Sequence, residues 1–364
     1  MIKVLVVDDS ALARKLFGGV LMNEADFEVA FARNGVEALE QLVTFRPDVI
    51  TLDVNMPTMD GLVCLDRIMV ERPCPVVMVS SLTAEGADAT LEALRLGAVD
   101  FVPKPEGAVS LRMAEFAPKL VQKVRAAATA RLRASRRLQD RVRHRIGAAA
   151  MLLPPRSRGA RAPSESANDD GLVLLGTSTG GPPALESVLA SLPADFPWPI
   201  VIAQHMPATF TGPLARRLDS LCAIEVVEVV RAVALQPGCA YIARGDADVV
   251  IARRGSRLVA LAAPSHPDHP WHPSTDRLVK SAMEHVSAER LVGVLMTGMG
   301  NDGAAAMTEL HKRGGHTIAE SEESAVIWGM PGELVKAKGA DWVLPLPKIA
   351  ERLQALASID ASRQ

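Results

Sequence analysis

The stretch IKVLVVDDS, Ile2–Ser10, is an apolar run that stops at two aspartates and a serine. Aliphatic residues without helical spacing predict a buried β-strand. The acidic pair then falls at the carboxyl end of that strand, the edge at which open α/β sheets bind their ligands. Whether similar runs follow decides the fold of this part of the chain.

Four further runs follow within residues 1–118, and stretches with helical periodicity separate them. Their sequences are FEVAFA, DVITL, PVVMVSS and AVDFV. Five strands and about five helices in ~120 residues predict a flavodoxin-like, doubly wound (βα)5 unit. We therefore assign residues 1–118 to a first α/β domain.

Charged side chains recur where these predicted strands end. Asp8 and Asp9 follow the first strand, Asp53 ends the third, and Lys104 ends the fifth. Parallel strands deliver such residues to one edge, so we expect them to converge. Clustered carboxylates suit Mg²⁺, and an aspartate beside the ion and a lysine is a competent phosphoryl acceptor. The alternative is that Asp8 and its neighbours only cap a helix and Asp53 belongs to a turn.

The charge pattern divides the 364-residue chain into three parts. Residues 1–118 carry 10 basic and 18 acidic side chains, residues 119–170 carry 13 and 4, and residues 171–364 carry 17 and 20. We interpret residues 119–170 as a basic helix, continuing to about residue 146, and a Pro- and Ser-rich flexible linker. A nucleic-acid-binding arm is the alternative, but the arginines lack interleaved aromatic residues, so we expect no nucleic acid partner.

Apolar runs resume at Gly171 and predict a second α/β domain over residues 171–358 with a mostly parallel sheet. The predicted strands are LVLLG, PIVIAQH, IEVVEVV, CAYIA, DVVIA, RLVALAA, LVGVLMT, HTIA and DWVLPL. The predicted helices are ALESVLASL, TDRLVKSAMEHV, AAAMTELHKRG and PKIAERLQAL.

The first strand of this second domain runs into GTSTGGPP, where Gly176, Ser178 and Gly180 satisfy the G-x-S-x-G pattern of a nucleophile elbow. A sharp strand-to-helix turn lifts a hydroxyl clear of the backbone and leaves N–H groups beside it for an oxyanion. A phosphate-binding loop is the competing interpretation, but the lysine of a P-loop is missing.

A base and an orienting carboxylate complete such a site, and two later strand ends supply them. His205 ends the next apolar run, and Asp302 follows a later one in TGMGNDG. The order Ser–His–Asp differs from that of α/β-hydrolases, so we expect a different fold for the same chemistry. The glycines of TGMGNDG also fit a dinucleotide fingerprint, but they come late in the domain, and the acidic residue would repel a pyrophosphate. Backbone N–H groups near Thr179 and Met299 are candidate oxyanion donors.

The first domain resembles the receiver domain of two-component response regulators over essentially its whole length. The resemblance implies that Asp53 is the phosphoacceptor and that Mg²⁺ binds to Asp9, Asp53 and the backbone carbonyl of Asn55, with help from Asp8. It also implies that Lys104 pairs with the phosphoryl group. By the same resemblance, the two side chains that respond to phosphorylation are Ser80 and Phe101.

The whole chain resembles the chemotaxis response-regulator protein-glutamate methylesterases, through GTSTGG, AQHMP, HPSTD and TGMGNDGA behind a receiver domain and a linker. The resemblance implies a Ser178–His205–Asp302 triad and hydrolysis of glutamate γ-methyl esters on methyl-accepting chemoreceptors, with release of methanol. It further implies deamidation of receptor glutamines, phosphorylation by the chemotaxis histidine kinase, and a role in sensory adaptation. The arginine-rich linker departs most from the family pattern.

Three further expectations concern regulation, compartment and metal binding. We expect the receiver to cover the esterase cleft until Asp53 is phosphorylated. The four cysteines form no C-x-x-C pair, no signal peptide is evident and no apolar run reaches ~20 residues, so we expect a cytoplasmic protein that does not insert into membranes. In HPDHPWHP, residues 266–273, a metal site is conceivable, but prolines favour an extended surface loop.

Overall fold

The computed structural model describes residues 1–105, 109–132 and 171–361. The first domain contains a parallel sheet in the order β2-β1-β3-β4-β5, which confirms the flavodoxin-like (βα)5 prediction. Its strands are β1 Ile2–Val7, β2 Phe27–Ala32, β3 Val49–Asp53, β4 Val76–Ser80 and β5 Asp100–Pro103. The central strands are buried on both faces, as their continuous apolar runs require.

Five helices cover the two faces of this sheet. They are α1 Ala11–Met22, α2 Gly35–Thr44, α3 Gly61–Glu71, α4 Ala84–Leu96 and α5 Val109–Ala128. Ser10 caps α1, because its hydroxyl accepts a hydrogen bond from the Ala13 N–H at 3.3 Å. α5 continues past residue 118 but ends at Ala128, so the predicted extension of this helix does not reach residues 129–132. The remainder of the predicted basic helix and linker lies outside the described residues.

The second domain is built on a seven-stranded parallel sheet in the order β15-β14-β13-β6-β7-β10-β8. Its strands are β6 Leu172–Thr177, β7 Ile200–Gln204, β8 Glu225–Val229, β10 Cys239–Ala243, β13 Leu291–Leu295, β14 His316–Glu320 and β15 Trp342–Leu344. β13, β6 and β7 lie side by side in its middle. The three strands expected to carry the serine, the histidine and the aspartate are therefore neighbours.

Two predicted strands belong to a separate antiparallel sheet with the order β11-β12-β9. Its strands are β9 Val233–Ala234, β11 Ala247–Arg254 and β12 Arg257–Pro264. β9 has only two residues and was not predicted. β11 and β12 form a hairpin, and the segment after β12 leads back toward the carboxyl edge of the large sheet.

The helices of the second domain include two that the sequence pattern missed. They are α6 Gly181–Leu189, α7 Ala208–Leu221, α8 Thr275–His285, α9 Ala304–Lys312, α10 Met330–Lys336 and α11 Leu346–Ala361, with a 3₁₀ turn at Ala288–Arg290. α7 was missed because Pro213 lies inside it, and proline normally interrupts a helix. α10 was missed because it has only seven residues, too few for a periodic signal.

The two domains pack against each other through one continuous apolar cluster. α4 of the first domain packs against α6 and α7 of the second. Phe101 at the edge strand β5 packs against Phe210 of α7, with ring centroids 4.3 Å apart and the rings tilted by 39°.

The four cysteines are buried and form no disulfide bond. In the three described ranges of the chain, no helix combines the length and the apolar character needed to cross a lipid bilayer.

Candidate active site

Ser178 and His205 lie beside each other because their strands are in register. β6 and β7 pair Thr177 with Gln204, so Ser178 and His205 are the next residues on two adjacent strands. The His205 backbone N–H donates to the Thr177 carbonyl at 3.0 Å, which continues the pairing one step beyond the sheet. The predicted convergence of these two strand ends is confirmed.

The turn after Ser178 requires its glycines. Gly180 adopts a positive φ of 76°, which favours glycine. A Cβ atom on Gly181 would come within 1.9 Å of the Thr177 and Gln204 side chains. Gly298 approaches from the β13 loop so closely that its Cβ would lie 2.8 Å from the Ser178 Cβ. Two glycine turns therefore hold the half-exposed Ser178 at the carboxyl edge of the sheet.

Asp302 is held by the amino end of α8 and is only 3% exposed. Its Oδ1 accepts hydrogen bonds from the Ser274 hydroxyl at 3.0 Å and the Asp276 N–H at 3.1 Å. Its Oδ2 accepts one from the Thr275 N–H at 2.6 Å. Burial alone would raise the pKa of Asp302, but the hydrogen bond to His205 and the backbone N–H donors lower it below the usual value. The carboxylate is therefore charged and fixed in orientation.

His205 completes this arrangement through its Nε2 atom, which lies 2.8 Å from Asp302 Oδ2. Because an ionised carboxylate can only accept, the proton of the neutral imidazole lies on Nε2, and Nδ1 carries a lone pair. Nδ1 is buried and has no hydrogen-bond partner among the described residues. A basic nitrogen without a partner is the chemical feature that a general base requires. Ser178 follows the neighbouring strand, although no hydrogen bond joins its hydroxyl to His205 Nδ1.

The two candidate oxyanion donors lie on the turns that flank Ser178. Thr179 follows Ser178 directly, and its carbonyl accepts a hydrogen bond from the Thr297 hydroxyl at 2.9 Å. Met299 follows Gly298, which packs against Ser178. Neither backbone N–H donates to a described residue, so both are available to an added group.

The receiver edge brings together the predicted acidic residues and Lys104. Carboxylate oxygens of Asp8, Asp9 and Asp53 lie within 4.8 Å of one another. Lys104 Nζ lies 2.7 Å from Asp53 Oδ2 and 2.9 Å from Asp8 Oδ2. Asp8 Oδ2 is buried, and its described partner is the Lys104 ammonium group. Such a cluster fits a hard divalent cation.

Burial and charge act in opposite directions on this cluster. Burial raises the pKa of Asp53, and the repulsion from Asp8 adds to that effect, whereas Lys104 opposes it. Burial disfavours the charged form of Lys104, but its ion pairs with Asp53 and Asp8 outweigh it and raise its pKa. The Asn55 backbone N–H donates to Asp53 Oδ1 at 3.4 Å, so this residue borders the cluster.

Comparison with known proteins identifies the families of both domains. A family model described as CheB methylesterase matches residues 173–353, and one described as response regulator receiver domain matches residues 4–114. The protein-glutamate methylesterase/protein-glutamine glutaminase 2 of Rhodopseudomonas palustris is 56% identical over 100% of both chains. A similarly named protein of Rhodospirillum rubrum is 54% identical over 98% of this chain and 96% of its own. This chain belongs to the CheB methylesterase family.

A solved structure supports the same assignment for the second domain. The CheB methylesterase catalytic domain of Thermotoga maritima is 36% identical, with a TM-score of 0.50, and it covers 52% of this chain and 99% of its own. The resemblance inferred from the sequence motifs is therefore confirmed, as are the α/β fold and the departure from the α/β-hydrolase order. The glycines of TGMGNDG pack against Ser178 and the loop before α8.

In this CheB-family chain, a polar contact joins the two domains directly beside Ser178. The Thr179 hydroxyl donates to Asp100 Oδ2 of β5 at 2.5 Å, and this contact is buried. Asp100 also accepts from its neighbour Lys123 of α5 at 2.7 Å. A groove of about 740 Å³ lies between α1, α5 and Met299.

The two predicted switch residues of the receiver have different surroundings. Ser80 is buried, and its hydroxyl donates to the Gly86 carbonyl at 3.1 Å. Phe101 is also buried, but by the second domain through Phe210. The residue expected to respond to phosphorylation is thus itself part of the domain interface.

Sequence reasoning missed the contribution of the segment before α8. HPDHPWHP was interpreted as an extended surface loop, yet Trp271 stacks on His205 and Ser274 hydrogen-bonds to Asp302. The metal alternative for this segment gains no support, because among the described residues only the receiver aspartates form such a group. His272 instead places Nδ1 3.0 Å from the buried Asp248. The signal in the sequence for this contribution was the HPSTD motif, which entered the sequence analysis only as part of the family resemblance.

Proposed function

We propose that this protein is a phosphorylation-activated esterase that hydrolyses the γ-methyl esters of glutamates on methyl-accepting chemoreceptors and releases methanol. Deamidation of receptor glutamines by the same site is part of the proposal, and its biological role is sensory adaptation in chemotaxis. The observation that carries it is the His205–Asp302 pair, with Nε2 and Oδ2 2.8 Å apart and Nδ1 of His205 without a hydrogen-bond partner, on the strand end next to that of Ser178. The names of the related proteins agree with this substrate class.

In the proposed reaction, Ser178 Oγ attacks the ester carbonyl while His205 Nδ1 accepts its proton. The imidazolium then returns the proton to the departing methoxide, and methanol leaves. Water, deprotonated by His205 in turn, hydrolyses the acyl-enzyme. Asp302 holds the ring and stabilises the imidazolium without taking the proton, in keeping with its lowered pKa. Base assistance of this kind contributes about 10²–10⁴ in rate.

The oxyanion of the tetrahedral intermediate needs hydrogen-bond donors that do not already donate to another group. The free N–H groups of Thr179 and Met299 flank Ser178 on its two glycine turns, which supports their assignment as donors. Removal of one such donor typically costs about 10²–10³ in kcat. Amide hydrolysis of glutamine needs the same groups, because it passes through the same type of intermediate.

Phosphorylation is assigned to Asp53, with the chemotaxis histidine kinase as phosphodonor. Mg²⁺, held by Asp9, Asp53 and the Asn55 carbonyl with Asp8 nearby, would neutralise charge on the phosphoryl group. Lys104 already contacts Asp53 and is placed to pair with a phosphoryl oxygen. Ser80 can reach that oxygen only by leaving the Gly86 carbonyl, and this change frees space for Phe101 to move.

Regulation follows from the interface that Phe101 helps to form. Phe101 packs on Phe210, and the adjacent Asp100 binds Thr179, so the unphosphorylated receiver holds the turn that carries Ser178. We infer that phosphorylation weakens this packing and shifts a two-state equilibrium toward an open form. A chemoreceptor helix then gains access to the cleft.

The proposal is tested by methanol release from methylated receptors, with and without Mg²⁺ and a small-molecule phosphodonor. We expect wild type to release methanol, faster with the phosphodonor, and Ser178→Ala to release none above background. Ser191→Ala is the matched control, because Ser191 is exposed at the end of α6. Equal activity of Ser178→Ala and wild type would contradict the assignment of the nucleophile.

A further inference from the structure

The His205 ring has one hydrogen bond, from Nε2 to Asp302, and one bond leaves the ring plane incompletely fixed. The plane determines where the Nδ1 lone pair points. Catalytic groups must be held within a few tenths of an ångström and ~10–20° of the productive geometry. A second restraint on His205 is therefore needed from the surrounding side chains.

Trp271 provides a flat surface parallel to that ring. Its indole lies at an interplanar angle of 5° to the imidazole, with ring centroids 6.1 Å apart, which is within the range of offset-stacked pairs. The side chain of His205 is only 8% exposed, and Trp271 is half-buried beside it. The indole thus limits both the tilt of the imidazole and the access of water to it.

Trp271 is itself held on two sides. Gly300, with a φ of 88°, lies under the indole so closely that a Cβ there would come within 2.8 Å of Trp271 Cζ2. On the chain side, the buried Asp248 carboxylate accepts the Ser274 N–H at 2.7 Å and lies 3.0 Å from His272 Nδ1. The short segment from Trp271 to Ser274 therefore cannot move away from the site without breaking contacts to β11.

The same segment also orients the Asp302 carboxylate. Ser274, Thr275 and Asp276 donate three hydrogen bonds to the Asp302 carboxylate. One stretch of six residues thus contacts both members of the His205–Asp302 pair, one by stacking and the other by hydrogen bonds.

We propose that Trp271 is a positioning residue for His205: its indole fixes the plane of the imidazole so that Nδ1 faces Ser178, and it shields the His205–Asp302 pair from water. This inference rests on the proposed function. It assigns Trp271 no contact with the substrate. Its effect must therefore appear in kcat, whereas a residue that only binds the receptor would change KM.

The test compares full-length Trp271→Leu and Trp271→Phe with wild type in methanol release from methylated receptors. We expect Trp271→Leu to lower kcat about 10–100-fold with little change in KM, since a small misplacement of a catalytic group has effects of this size. We expect Trp271→Phe, which keeps an aromatic face, to stay within about threefold of wild type. If Trp271→Leu does not fold, Trp271→Met takes its place, as an unbranched side chain that adapts to its surroundings.

Trp342→Leu is the matched control, because Trp342 also packs against a histidine. The ring centroids of Trp342 and His316 lie 5.4 Å apart, and Trp342 is on β15, an outermost strand of the sheet. We expect this variant to keep wild-type kcat. An equal loss of kcat in Trp342→Leu would show that the effect of Trp271 is general destabilisation, and a rise in KM alone would make Trp271 a substrate contact; either result overturns the proposal.

A second readout separates this inference from the proposed function. A fluorophosphonate labels an activated serine without any receptor, so wild type should be labelled on Ser178 and Trp271→Leu about 10–100-fold more slowly. If wild type is not labelled, the proposed function fails. If wild type and Trp271→Leu are labelled at the same rate, only the positioning role fails. By proton NMR, the Nε2 proton of His205 should exchange with water faster in Trp271→Leu than in Trp342→Leu, and equal exchange would also overturn the proposal.

Discussion

The two domains place charged groups at the same edge of the same kind of parallel sheet, yet the two edges are built differently. At the receiver edge, Asp9 is exposed and Lys104 makes ion pairs with Asp8 and Asp53. At the catalytic edge, Asp302 is buried under three hydrogen bonds from the segment before α8, in addition to its bond with His205.

The difference shows what each edge is suited to do. Burial raises the pKa of Asp53, so its charge is poorly compensated and an added cation or phosphoryl group changes the balance of the whole cluster. Hydrogen bonds lower the pKa of Asp302, so its charge is already compensated before any substrate arrives. The receiver edge is arranged to change state, and the catalytic edge is arranged to remain fixed.

The largest effect is expected from Asp302→Asn, which keeps the shape of the side chain. Its amide would donate to His205 and so favour the wrong imidazole tautomer, and we expect kcat for methanol release to fall about 10⁴-fold. Asp268→Asn, an exposed residue in the loop before Trp271, is the control and should retain wild-type kcat. A fall in kcat of less than tenfold in Asp302→Asn would contradict this expectation, because it would show that catalysis does not need the charge of Asp302.

The next effect concerns the receiver edge alone. Asp53→Asn removes the proposed phosphoacceptor, so we expect the ratio of activities with and without phosphodonor to fall to about one, while the basal rate stays unchanged. Methanol release from one protein preparation, measured before and after phosphodonor and Mg²⁺, gives this ratio. Asp48→Asn serves as the control outside the acidic cluster. Full activation of Asp53→Asn by the phosphodonor would show that a different residue is phosphorylated.

The amino-acid sequence was sufficient for the elements that carry these two sites. IKVLVVDDS and GTSTGG are strands that end in polar residues, and the equal direction of parallel strands brings such ends together without further information. For the same reason, Ser178 and His205 could be placed from strand ends alone, whereas Asp302 lies seven residues beyond the end of β13 and is held by Ser274, Thr275 and Asp276. The position of each of these strand ends is determined by a local sequence pattern, an apolar run that ends in polar residues.

The sequence was not sufficient where position depends on long-range contacts. Trp271 reaches His205 because Asp248, on another sheet, anchors the residues that follow it, and no local pattern encodes that anchor. The hydrogen bond between Asp100 and Thr179 joins two domains and could not be predicted from local sequence patterns either. α7 was hidden for a different reason, since Pro213 masks a helix that tertiary packing stabilises.

The contact between Asp100 and Thr179 sharpens the comparison, because it joins the catalytic edge to the first residue of β5 in the receiver. A hydrogen bond to a charged group contributes about 1.5–3 kcal/mol. Asp100→Ala should therefore shift the closed–open equilibrium by roughly 10–100-fold and raise basal methanol release, up to the limit set by the fully open form. The activation ratio should fall by a similar factor.

Asp88→Ala is the control for this variant, because Asp88 lies on the exposed face of α4 in the same domain. We expect its basal rate to equal that of wild type. An unchanged basal rate in Asp100→Ala would show that apolar packing, such as that of Phe101 on Phe210, holds the closed form without help from the polar contact.

The smallest effect is expected at a polar contact between the segment after α5 and the second domain, that of Arg131 with Glu322 at 2.7 Å. Both side chains are more than half exposed, at 58% and 53%, so water and salt screen their attraction. Such pairs contribute about 0.2–1 kcal/mol, and Arg131→Ala should raise basal methanol release by at most about fivefold. The increase should vanish in ~1 M salt, whereas that of Asp100→Ala should persist because its contact is buried. Arg33→Ala, which removes an exposed ion pair with Glu37 inside the receiver, controls for surface charge. If Arg131→Ala and Asp100→Ala respond equally to salt, burial does not distinguish the two contacts, and the receiver is held closed mainly by long-range charge.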